Sequence, residues 1–185
     1  SIAQPLSVGV YSDGEYLDLV LTESLGVGEV IEKLNASAPP TIKFLHATPV
    51  EIVENVKRLP QAMALLDGAR YIIKIKLNGT SKVEEEMMKT LNEDKWEIVK
   101  KTKKGEKLTD IKPFVKEFKY WVKDNELVLN TLISTGSREN LSADLLVTYL
   151  KGKISEINMD SFVNIKREEM YILKNNKYVP LYKGI

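Results

Sequence analysis

The chain has 185 residues, 43% of them hydrophobic and 29% charged, with a net charge of +1; this suits one large or two small globular domains and supplies no global field for nucleic acid or membrane. It contains no cysteine, which excludes disulfides, thiolate zinc sites, cysteine-ligated iron–sulfur clusters and a cysteine nucleophile within it. Its one histidine, His46, leaves any metal site to carboxylates almost alone and any Ser-His-Asp triad to a single imidazole, so neither a metal nor a cofactor is expected. No apolar run approaches the roughly 20 residues of a membrane span, and no basic segment precedes an apolar one as in a signal peptide, so a cytoplasmic location is expected. The chain opens without Met in what reads as mid-strand, and an upstream piece is expected.

In chain order, Ser12-Asp13-Gly14 is a hairpin-type turn. It is expected to join residues 2–10 to a strand over 15–22, where Leu17, Leu19 and Leu21 alternate with Tyr16, Asp18 and Val20. Val27, Val30, Ile31 and Leu34 recur at helical spacing and predict a helix over 26–36, ended by Pro39-Pro40. Residues 41–48 read as a strand. Residues 49–60 fit either a helix stripe (Val50, Val53, Val56) or an irregular connection, and Leu59-Pro60 restarts a helix that Asp67-Gly68 ends.

Residues 69–77 alternate as a strand, Asn78-Gly79 turns, and Ser81-Lys82-Val83-Glu84 has the form of a capping box opening a helix to about residue 92. A strand over 95–101 follows, then a hairpin turn at Lys103-Lys104-Gly105-Glu106 and a return strand over 107–111, with Pro113 restricting Lys112 to extended geometry. Residues 114–122 fit strand or helix. The turn Lys123-Asp124-Asn125-Glu126, followed by clean alternation over 127–133, favours strand. Ser142 is an N-cap for a helix to about 150. Residues 162–173 and 178–182 read as extended, with Asn175-Asn176 turning between them.

The fold class is therefore α+β. Residues 69–172 follow the split β-α-β order of a ferredoxin-like domain, with an inserted hairpin, and residues 2–48 follow the same order without its first strand and helix. The expected organisation is two ferredoxin-like halves, 1–58 (truncated) and 59–185, with mostly antiparallel sheets and helices on one face.

Six lysines crowd into residues 100–112: Lys100, Lys101, Lys103, Lys104, Lys107 and Lys112. A hairpin that projects several ammonium groups suits phosphate recognition; the competing reading is a solvated turn whose lysines blunt an edge. Trp96, Phe114, Tyr120 and Trp121 nearby are candidate base-stacking rings, or core. Asp110, just after the basic turn, is a candidate general acid/base or nucleophile, unless it caps the turn before Pro113 or pairs with a lysine. Glu15, Tyr16 and Asp18 are groove candidates, as are Arg138 and Asn140 beside a helix start.

Three sets of residues carry a resemblance: Pro5-Leu6-Ser7-Val8-Gly9-Val10 with Gly14-Glu15-Tyr16-Leu17-Asp18; Ala62-Met63-Ala64 before Ala69-Arg70-Tyr71; and the run from Lys104 to Pro113. In these blocks the chain resembles the radical-SAM-linked protein family, of unknown function, over most of residues 2–150. The resemblance implies a domain fused to, or working beside, a radical S-adenosylmethionine protein in RNA or ribosome metabolism. The family pattern opens with an upstream strand, a helix and a Gly-Phe-Asn-Pro-His-Pro-Lys segment that this chain lacks. Lys112 stands where that pattern carries Arg, which keeps the charge and loses the planar fork.

Three functions fit. One is a non-catalytic accessory domain that holds RNA phosphates on the lysine hairpin beside a radical SAM protein. Another is a nucleic-acid-modifying enzyme with Asp110 central, since tandem ferredoxin-like halves resemble pseudouridine synthases. The third is a protein-interaction module.

Overall fold

A computed structural model describes residues 1–50, 61–102 and 105–185. Its elements are β1 (Val10–Ser12), α1 (Val27–Ser37), α2 (Ala62–Leu65), β2 (Gly68–Lys76), α3 (Val83–Asn92), β3 (Glu97–Thr102), β4 (Gly105–Asp110), a single 3-10 turn (Lys112–Phe114), β5 (Val115–Lys123), β6 (Glu126–Ser134), α4 (Ala143–Lys151), β7 (Asn164–Lys174), β8 (Lys177–Pro180) and α5 (Leu181–Gly184).

The chain is α+β, as its pattern predicts. Strands β7, β2, β6 and β5 lie side by side in that order, every pair antiparallel. Taken as the first to fourth strands of a split β-α-β unit, β2, β5, β6 and β7 stand in the order 4-1-3-2, which is the ferredoxin-like arrangement. β1 adds to the outer side of β7 in parallel, and β8 folds back on the end of β7. The ribbon β3–β4 is a separate two-stranded sheet.

Period-two alternation decides the two faces of the sheet. Ala69, Tyr71, Ile73 and Ile75 of β2, Leu127, Leu129 and Ile133 of β6, and Ile165 and Met170 of β7 point to one side. There they pack with Val83 and Met87 of α3 and Leu146, Val147 and Leu150 of α4. Trp96 fills the corner beneath the ribbon at 2% exposure, edge-on to Phe118 and stacked on Tyr149. The opposite face carries Ile72, Lys74, Val128, Asn130, Lys119 and Trp121. The β5–β6 turn is tight because Asp124 and Asn125 both take positive φ (53° and 56°), the paired left-handed geometry of a type I′ hairpin.

Several local expectations give way to long-range partners. The first hairpin does not form: Ile2 and Leu17 make a single bridge, and residues 15–22 hold no strand. Residues 10–12 pair with β7 instead, Asp13 donates its N–H to the Arg167 carbonyl, and the Glu15 carboxylate is drawn to the Arg167 guanidinium. Residues 41–48 are irregular. There the Asn35 amide takes the place of a strand neighbour, accepting from the Phe44 N–H at 2.8 Å and donating to its carbonyl at 2.9 Å. Lys112 opens the 3-10 turn rather than lying extended.

The capping box is replaced as well. Lys82 occupies the N-cap of α3 with no side-chain cap. Glu156, 75 residues from Ser81, accepts from the Ser81 N–H and hydroxyl (3.1 and 2.9 Å) and from the Lys82 N–H at 2.7 Å. Glu84 accepts instead from the Tyr120 hydroxyl. Residues 178–182 split into the end of β8 and the short α5. The expectations for 51–60 and for Lys103 and Lys104 lie outside the described residues. No helix among the described residues is long and apolar enough to cross a membrane.

Candidate nucleic-acid interface

The β3–β4 ribbon rises from a clasp at its base. The Ile111 N–H donates to the Trp96 carbonyl, and the Asp110 carboxylate accepts from the Trp96 N–H at 2.8 Å and the Lys112 N–H at 3.0 Å. Asp110 thus closes the ribbon and turns the chain into the 3-10 helix. Neither of the two clefts described below includes it. Asn, Asp and Ser commonly bond their own neighbouring backbone at such turns, and this is the capping alternative raised by the sequence.

Above the clasp, strict register places Lys100 directly opposite Lys107 and Val99 directly opposite Leu108. Adjacent pairs point to opposite faces, so the lysine pair and the Val99–Leu108 pair stand on opposite faces of the ribbon, with Val99 and Leu108 both more than half exposed. Lys107 is exposed, while Lys100 is tied down by a 3.3 Å hydrogen bond from Nζ to the Asn140 carbonyl. Like charges directly opposite on paired strands repel, and an anion bound between them would relieve that repulsion. The Lys101 backbone lies in β3.

Lys112 has a different task. Its Nζ donates to the Leu91 carbonyl at 3.1 Å and to the Glu93 carbonyl, at the C-terminal end of α3, and sits 6.0 Å above the Trp96 ring. A cation on the last carbonyls of a helix compensates its macrodipole. Lys112 therefore joins the ribbon base to α3, and its ammonium is taken up by the helix carbonyls.

Of the other candidates, Asn140 meets the ribbon through Lys100, and Arg138 pairs with Asp67 at 2.5 Å, whose other oxygen accepts from the Leu173 N–H. Glu15, Tyr16 and Asp18 lie together on the N-terminal strap, residues 1–18, and each is committed to a fastening. Glu15 grips Arg167 with both oxygens (2.7 and 2.8 Å). Tyr16 donates to Glu169 at 2.8 Å, and this acceptor, together with burial, raises its pKa, burial being the larger cause. Asp18 accepts from the Ala62 N–H and the Ser1 hydroxyl. Neither of the two clefts described below places a ribbon residue or Arg138 beside the strap.

The stacking candidates separate clearly. Trp96 is core; Phe114 and Tyr120 are partly buried against it; Trp121 is 43% exposed. Sequence reasoning passed over Arg167, the buried cation that organises the strap. It also passed over Lys119 and Lys123, which flank Trp121 on one face of β5. Their period-two spacing was the available signal, whereas nothing local distinguishes Arg167 from any charged residue in a strand. His46 stacks on Tyr182 with ring centroids 5.9 Å apart, and no group of acidic or histidine side chains among the described residues could hold a metal.

Two adjoining clefts separate the strap from α4. The larger, about 290 Å³, lies between Val8, Thr148, Lys151 and Phe162; the smaller, about 110 Å³, lies over Tyr71, Ser142 and Arg167. Val10 and Asp144 line both. In the smaller cleft four of the five N–H donors of Arg167 already go to Glu15, the Gln4 carbonyl and the Tyr71 hydroxyl.

Among known proteins, neither a curated protein nor a solved structure matches the chain. The family described as an uncharacterized protein conserved in bacteria (DUF2344) matches residues 1–143. That span takes in the strap, the ribbon with its clasp and three of the four strands of the ferredoxin-like sheet, and the chain belongs to this family.

Proposed function

We propose that the chain is an accessory domain that holds RNA phosphates on the β3–β4 ribbon and works beside a radical S-adenosylmethionine protein. The observation that carries the RNA part is the register of Lys100 opposite Lys107 on a ribbon standing apart from the main sheet. A two-stranded ribbon is narrow enough to approach a nucleic-acid groove or backbone, and lysine ammonium groups bind phosphates as point charges. Lys101, Lys103 and Lys104 extend the same run of positive charge in sequence. The radical SAM part rests on the resemblance carried by the strap and ribbon motifs.

Binding of a structured RNA across a salt series tests the reading. The logarithm of affinity should fall linearly with that of salt concentration, and replacing Lys103, Lys104 and Lys107 by Gln should flatten the slope by about 2 to 3. Affinity independent of salt, or unmoved by the three replacements, refutes it. The Asp110 carboxylate is engaged by two backbone N–H groups, which supports a structural role for it at the base of the ribbon.

A further inference from the structure

The face of the ferredoxin-like sheet turned away from the helices is a grid that the registers define. Trp121 of β5 stands opposite Val128 of β6, which stands opposite Lys74 of β2. Along β5, Lys119 and Lys123 flank Trp121 on the same face. Two residues along a strand span about 7 Å and two strands about 10 Å. The indole is therefore bordered on three sides by ammonium groups within the reach of a lysine side chain.

The charges on this patch are unbalanced. Lys74, Lys119 and Lys123 are exposed and make no ion pair among the described residues, while the one carboxylate in the same rows, Glu126, leans towards Lys76 at 3.9 Å. The floor is apolar, with Val128 only 5% exposed, yet Trp121 remains 43% exposed above it. A large exposed aromatic on an apolar floor ringed by cations needs a partner that is both flat and anionic.

We propose that this face is a stacking platform for single-stranded RNA, with a base lying on Trp121 and the flanking phosphates held by Lys119, Lys123 and Lys74. Base stacking on an aromatic ring tolerates any sequence, and lysines that track the backbone supply the salt-dependent remainder of the affinity. The platform gathers at the Lys123 end of β5, whereas the ribbon joins the sheet at the Val115 end. The two sites are distinct, and the platform extends the RNA reading of the ribbon without depending on it.

The test titrates the full chain with a mixed-sequence single-stranded RNA of about ten nucleotides, reading tryptophan fluorescence and the anisotropy of a labelled strand. Of the two tryptophans, Trp96 is buried, so quenching on binding reports Trp121. Trp121→Ala should weaken binding about 5- to 100-fold, and Trp121→Phe should restore most of it. Lys119→Gln with Lys123→Gln should flatten the salt slope by about 1.4. All three positions are exposed, and thermal melting checks that the variants are folded.

Unchanged affinity in both Trp121→Ala and the double lysine variant overturns the platform. If ribbon replacements at Lys103, Lys104 and Lys107 weaken binding while those at the platform do not, the ribbon stands and the platform falls. The reverse result sinks the ribbon and keeps the platform. Absence of binding to both single-stranded and structured RNA removes both. Equal affinity for single-stranded DNA of the same sequence overturns RNA as the source and leaves the stacking chemistry in place.

Discussion

Arg167 of β7 and Glu15 of the N-terminal strap form a two-pronged ion pair across 152 residues of chain, with the guanidinium only 2% exposed and the carboxylate about one-third exposed. The Gln4 carbonyl and the Tyr71 hydroxyl accept from two more of its N–H donors. This cation sits on the helix-covered side of the sheet and would be prohibitive there without its partner. The pair is the anchor by which residues 1–18 are held against β7.

The two partners are unequal, because one is buried and the other still meets water. Glu15→Ala strands a buried positive charge and should cost about 3 kcal/mol in denaturant unfolding. Arg167→Met leaves Glu15 free to hydrate and fills the site with apolar volume, so it should cost clearly less. The reverse order would show that the pair is not the anchor.

Lys112 should matter to stability and not to RNA. Its replacement by Ala removes a cation from the C-terminal carbonyls of α3 and uncovers part of Trp96, at a cost of about 1–2 kcal/mol. Affinity for RNA should stay within about twofold, since the side chain points into the protein. Lys107→Gln should do the opposite, and measuring melting and RNA affinity on both variants separates the two roles. A large loss of RNA binding in folded Lys112→Ala would place it in the interface.

The replacement cap on α3 gives a pH dependence whose sign can be worked out. The backbone N–H of Lys82, the largest cause, together with the Ser81 hydroxyl and N–H, holds the Glu156 carboxyl below its ordinary value of 4.5. A carboxyl with a depressed folded-state pKa binds its proton more readily when unfolded. It therefore contributes stability that is complete above about pH 4.5 and is lost as pH falls through the lower folded value. Glu93, lowered first by its hydrogen bond from Lys153 and then by that from Tyr149, acts in the same window. The melting temperature of the wild type should fall between pH 5 and pH 3, and Glu156→Gln should start lower at pH 5 and fall less steeply. Parallel curves for the two proteins would refute the assignment.

Gly136 is fixed by backbone contact as well as by conformation. It takes φ +139°, and a Cβ there would lie 2.3 Å from the Leu66 carbonyl oxygen. Gly136→Ala forces apart the loop that carries Arg138 and the segment that carries Asp67, and should destabilise by about 2 kcal/mol or more. Gly28, inside α1, has nothing within 4 Å of an added Cβ, so Gly28→Ala serves as the control, with a neutral or slightly stabilising effect in the same chemical-denaturation measurement.

The sequence alone determined the features written in a few consecutive residues. Alternation in β2 and β6, helical spacing in α1 and α3, the Ser142 cap, the Asp124-Asn125 turn and the basic hairpin are all set by local sterics and periodicity, and the order of these elements was enough for the ferredoxin-like plan of residues 68–174. Only the tertiary structure decided what the candidate side chains do. Glu15 reads as a groove residue until strand order brings Arg167 beside it, Ser81 reads as a cap until Glu156 arrives, and Lys112 reads as a phosphate ligand until α3 ends beneath it. Lys119, Trp121 and Lys123 were visible as a period-two run, but their relation to Lys74 required β6 to lie between β5 and β2. The reason is physical: backbone preference acts over one or two turns of chain, whereas a charge or hydrogen-bonding group takes the best partner that the folded sheet brings within about 3 Å, and strand order is a property of the whole core.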